Sequence, residues 1–152
     1  MSIFEASPQS ERMLSVFRIV AGVVFVSAGT MKLFAYPPSP VPMPPIPLFS
    51  EMWFGGMLET WGGLLIVLGL LTRPVSFVLA GEMAVAYFQF HFPKSPFPTV
   101  NNGVPAVLYC FLFLYLMLAG GGAWSLDALL ARARRTRAAN PTDPAASYRR
   151  GA

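Results

Sequence analysis

Apolar residues run almost unbroken through four windows of the chain, roughly 13–36, 52–71, 74–92 and 103–120. Each is close to the 20 or so residues that a helix needs to cross a hydrocarbon core. The segments between them differ in kind. After the first window comes YPPSPVPMPPIPLFS, whose seven prolines between Pro37 and Pro47 exclude helix and favour an extended polyproline path. The second and third windows are separated only by the turn LTRPV, and the third and fourth by PKSPFPTVNNG. This pattern predicts an all-α fold, an integral membrane four-helix bundle over residues 12–130. A short N-terminal segment, residues 1–11, precedes it, and the proline segment is expected to lie as a flap over one mouth of the bundle. Residues 131–152, dominated by Ala, Arg, Pro and Asn, read as a disordered basic tail.

Composition supports the membrane class. Of the 152 residues 55% are hydrophobic and 12% charged, which is too apolar for an ordinary soluble domain of this length. The net charge of +4 is a topology signal. Arg12, Arg73, Arg132, Arg134, Arg135, Arg137, Arg149 and Arg150 fall on one side of the proposed spans and Lys94 on the other, so the positive-inside rule places both termini in the cytoplasm. The expected location is the bacterial inner membrane, with several crossings. The Arg-rich tail suits anionic lipid headgroups as partner, and nothing in its placement suggests nucleic acid. The first residues lack a short apolar core with a small-residue cleavage site, so no removable signal peptide is expected.

Four formal charges interrupt the apolar windows: Arg18 and Lys32 in the first, Glu59 in the second and Glu82 in the third. A charge in hydrocarbon costs roughly 3 kcal/mol or more, so such side chains face the protein interior and find partners. Helical spacing puts Arg18, Gly22, Phe25, Gly29 and Lys32 on one stripe, and Gly55, Glu59, Gly62, Ile66 and Gly69 on another. The small residues in these stripes let helix backbones approach closely. Depth along the helices predicts two ion pairs. Lys32 meets Glu59 toward the outer face, and Arg18 meets Glu82 toward the cytoplasm, the second pair being structural. His91 and Asn102, with Tyr109 two turns below Asn102, fall near the outer level. Lys32, Glu59, His91, Asn102 and Tyr109 are therefore the candidate lining of a polar pocket beneath the flap.

Three runs carry a family resemblance: FRIVAGVVFVSAGTMKLF, ETWGGLLIVLGLLTRPVSFVLAGEMAVAYFQFHFP and LYCFLFLYLMLAGGGAWSLDALL. Together they resemble the DoxX family of small four-helix bacterial membrane proteins, over about residues 12–130. The resemblance implies a subunit of a quinone-linked oxidoreductase system, one that is not catalytic alone. It also implies quinone as the possible ligand of the pocket and a soluble or membrane-bound redox protein as partner. Metal and haem are not expected, because the single histidine and the single cysteine, Cys110, offer no ligand set. Two other classes fit the same residues: a binding or transport module for a small lipophilic molecule, and an anchor that recruits a soluble redox enzyme. A homo-oligomer is compatible with each of them.

Overall fold

The protein is described by a computed structural model over residues 7–39 and 44–139. It is helical throughout, with no strand among the described residues. Helix α1 spans Pro8–Phe34. Next come α2 (Glu51–Met57), a π turn (Leu58–Gly62) and α3 (Gly63–Leu68), joined without a break into one helical run. Helix α4 (Thr72–Ala86) likewise continues into a second π turn (Tyr87–His91). Helices α5 (Val104–Ala119) and α6 (Leu126–Ala139) complete the order.

The starts of these helices follow from local chemistry. Ser7 caps α1 by accepting the amide of Ser10, with Pro8 at the first helical position where its missing N–H is harmless. Ser50 accepts the amide of Trp53 in the same way at α2. At the other end of that run the chain reverses through two left-handed residues, Gly69 (φ 65°) and Leu71 (φ 51°). The first amides of α4 have no cap from their own segment. They are bonded by Asp127, whose Oδ1 accepts from Leu71 at 2.9 Å and whose Oδ2 accepts from Thr72 at 2.8 Å. The amide of Asp127 itself donates to Gly69 at 2.9 Å. One carboxylate thus serves a helix N-terminus and docks the start of α6 on the α3–α4 turn. Asp127→Ala should cost about 1–2 kcal/mol, read as a lowered melting temperature that Asp127→Asn partly restores.

Helix α1 packs along the run from α2 to α3, and α4 along α5. Backbone contact is closest in the first of these pairs. A Cβ at Gly29 would lie 2.5 Å from the amide nitrogen of Thr60 and 2.8 Å from the carbonyl of Gly56, and one at Gly22 would meet the backbone of Val67 and Gly63. The glycines that face α1 are thus Gly56 and Gly63. Of the predicted stripe, Gly62 faces Leu79, Gly55 faces Glu82 and Gly69 faces Ser125 and Arg18. Phe25, Ile66, Leu79, Met83, Phe113 and Leu116 form the centre of the core where the two pairs meet. Phe25 packs its ring on Tyr109 and Phe113, with centroids 5.2 and 4.9 Å away.

The outward faces are apolar. Val16, Phe17, Val20 and Val23 on α1, Phe77 and Val85 on α4, and Leu108, Phe111, Tyr115 and Leu118 on α5 are all exposed. In length and composition, among the described residues, Pro8–Phe34 is the helix that qualifies to cross a membrane; Val104–Ala119 is apolar but shorter. Two expectations need correction. The basic tail does not begin in disorder at residue 131, since α6 continues to Ala139; residues 140–152 lie outside the described chain. The third helical window extends back to Thr72 because Asp127 caps it there.

Candidate ligand cleft

The buried charges separate into two groups at opposite ends of the molecule. At the end holding the α3–α4 turn, the Arg18 guanidinium is fully buried and makes no carboxylate pair. It donates through Nε to the carbonyl of Gly121 at 2.7 Å, through Nη1 to Val67 at 2.6 Å and to Ile66, and through Nη2 to Trp124 at 3.1 Å. Ile66 and Val67 lie in the last turn of α3, whose carbonyls carry the negative end of its dipole; that of Ile66 also accepts the Gly69 amide at 3.0 Å. The planar fork of arginine suits several oxygens at once. Ser15 reinforces the knot by accepting the amide of Trp124 at 3.0 Å. The predicted Arg18–Glu82 pair is therefore absent. Backbone carbonyls, which sequence spacing does not display, satisfy the arginine.

Glu82 belongs to the other group. Lys32 Nζ and Glu59 Oε1 form an ion pair at 2.6 Å, with the Glu59 side chain 5% exposed and that of Lys32 27%. Glu82 reaches toward the same helical run, its Oε1 3.4 Å from where a Cβ of Gly55 would stand. All three line a cleft of about 1090 Å³ between the two helix pairs. Its walls are mostly apolar: Val24, Phe25 and Ala28 from α1, Phe54 and Leu58 beside Glu59, Val78, Met83 and Phe90 beside Glu82, and Ala106 and Tyr109 from α5. Toward the proline-rich end it is polar, with Glu51 bonded to Gln89 at 2.5 Å, and with His91 and Lys94. Val24, Leu58, Val78 and Val85 line the cleft and are also exposed on the molecular surface, so the cleft opens sideways between helices.

Four of the five predicted pocket residues, Lys32, Glu59, His91 and Tyr109, come together there. Asn102 does not. It is exposed, in the left-handed region at φ 59°. Its neighbour Asn101 is the buried one, accepting the amide of Gly103 and donating to the carbonyl of Ser95, while the His91 ring bonds its carbonyl at 3.0 Å. Among its described residues the proline segment contributes nothing to the lining; residues 40–43, the middle of the expected flap, lie outside the described chain. Glu82 and Gln89 were missed as cleft residues. Both π turns fall at the cleft, carrying Glu59 in one and Gln89 and His91 in the other. Such turns tend to mark functional positions, but they leave no trace in the apolar pattern.

Comparison with known proteins bears on this arrangement. The family model DoxX matches residues 13–92, a stretch that holds Arg18, Lys32, Glu59, Glu82 and His91. The chain belongs to the DoxX family. Two relatives illustrate the likeness of this DoxX chain to curated proteins. An uncharacterized protein of Haemophilus influenzae is 38% identical over 117 residues, covering 75% of this chain and 87% of the relative. The inner membrane protein YqjF of Escherichia coli is 32% identical over 125 residues, covering 76% and 89% respectively. No solved structure matches this DoxX chain.

Proposed function

We propose that this DoxX protein crosses the bacterial inner membrane with its four long helical runs, both termini in the cytoplasm, and binds a quinone-type molecule in the cleft as the membrane subunit of a quinone-linked redox system. The observation that carries the reading is a large apolar cleft, open sideways, with Lys32, Glu59 and Glu82 at one level of its wall. An isoprenoid tail matches the apolar walls and a polar ring the charged level, in keeping with pockets that combine apolar lining and a few placed polar groups. The exposed apolar belt and the inner membrane relative support the location. Arg73 and the arginines of α6 share the Arg18 end, which the charge rule assigns to the cytoplasm. In this frame the cleft is nearer the periplasmic face.

The test is native mass spectrometry of the protein released from membranes, followed by titration with a short-chain ubiquinone or menaquinone analogue. One quinone per chain is expected. Ala28→Trp, which fills the cleft, should weaken binding by tenfold or more. A chain that emerges empty from every lipid and takes up no analogue would refute the quinone reading. The helices leave the alternative of a carrier for other lipophilic molecules, which a co-purifying lipid in place of quinone would favour.

A further inference from the structure

The charges at the cleft do not balance as drawn. Lys32 neutralises Glu59 through Oε1, yet Oε2 of Glu59 and Oε2 of Glu82 are both sealed from solvent with no hydrogen-bond donor in reach. Glu59 is 4% exposed. An ionised carboxylate is acceptor-only, and a buried acceptor without a donor is costly. Every other charged or titratable group at the cleft is accounted for from its own element. Glu51 on α2 bonds Gln89, His91 on the second π turn faces the carbonyl of Asn101, Lys94 stands exposed in the following loop, and Tyr109 comes from α5. Glu82 stands against the same helical run as Glu59, its Oε1 3.4 Å from where a Cβ of Gly55, four residues before Glu59, would lie. The local count is then one cation and two carboxylates, in surroundings too apolar for an unmatched charge.

We infer that Glu59 and Glu82 hold one proton between them, so that with Lys32 they form a net-neutral proton-binding site in the wall of the cleft. One added hydrogen turns one of these orphan acceptors into an O–H donor and removes the excess charge in a single step. Two carboxyls that share one apolar cleft and one cation behave this way because ionising both leaves an unmatched charge, and their titration belongs to the pair. The site extends the reading above, since reduction of a quinone takes up protons and this one lies on the cleft surface. It rests on the two carboxylates alone and holds whatever fills the cleft.

The experiment is infrared spectroscopy of the full chain in phosphatidylethanolamine–phosphatidylglycerol vesicles, with glutamate labelled by carbon-13 at the side-chain carboxyl and no quinone added. At neutral pH the wild type should show the C=O stretch of one protonated glutamate per chain, and alkali should remove it. Glu82→Gln mimics the neutral acid, so it should keep the wild-type melting temperature while losing the band. Glu59→Gln should lose the band as well, because Glu82 then carries the one negative charge that balances Lys32, with a lower melting temperature from loss of the 2.6 Å ion pair. A folded wild type without a protonated glutamate at neutral pH overturns the inference, and so does a band that persists in Glu82→Gln. Because no quinone is present, these outcomes are separate from success or failure of quinone binding.

Discussion

Arg18→Met should leave almost no folded protein in mild detergent. The substitution keeps most of the side-chain bulk but takes the arginine donors from the carbonyls of Val67, Gly121 and Trp124, and leaves that of Ile66 with only the Gly69 amide at 3.0 Å. An orphaned buried acceptor costs about 1–3 kcal/mol, so three of them approach the roughly 5–15 kcal/mol that holds a small domain together. Arg18→Lys should recover only a part, since one ammonium cannot span four oxygens that lie around a planar fork. The measurement is thermal unfolding followed by the fraction surviving size-exclusion chromatography. An Arg18→Met protein that melts like its parent would show that water or lipid satisfies those carbonyls instead.

The second large effect is expected at Gly29→Val. The first added carbon would stand 2.5 Å from the Thr60 amide nitrogen and also against the Thr60 hydroxyl. Those atoms belong to a neighbouring helix whose Thr60 hydroxyl is already bonded to the Gly56 carbonyl at 2.8 Å. Overpacking of this kind costs about 1–3 kcal/mol where side chains can yield, and the upper end or beyond is expected where backbone blocks the way. Gly81→Ala is the control, because nothing lies within 4 Å of a Cβ there. Gly29→Val should lower the melting temperature sharply and weaken the Lys32–Glu59 pair by spreading α1 from its neighbour, whereas Gly81→Ala should change neither.

The helices were legible because the apolar windows are long and the prolines and glycines that separate them are strong signals. The Lys32–Glu59 pair is legible because the proline segment marks the outer ends of both helices that carry it. Glu82 was misplaced for a definite reason. With a third window that starts at residue 74, Glu82 falls closer to the cytoplasmic end than to the outer one. In fact α4 begins at Thr72 and its π turn ends at His91, which puts Glu82 nine residues from that outer end, against eight for Glu59 from Glu51. The two carboxylates are therefore level. Arg18 could not be read correctly from its neighbours in sequence, since its partners are main-chain oxygens 48 to 106 residues away. The clue was present in a different form: the triple glycine 120–122 lets a loop come against α1 so closely that a Cβ at Gly122 would touch Ser15.

The residues that line the cleft and at the same time face outward, Val24, Leu58, Val78 and Val85, have a consequence for how affinity must be counted. With the helices spanning a bilayer as proposed, a lipophilic ligand arrives through the side of the protein from a two-dimensional solution. Its effective concentration is then its mole fraction among the lipids. Occupancy should follow the quinone-to-lipid ratio and stay constant when protein, lipid and quinone are diluted together in buffer, so a dissociation constant quoted per litre would describe the vesicle preparation and say little about the site.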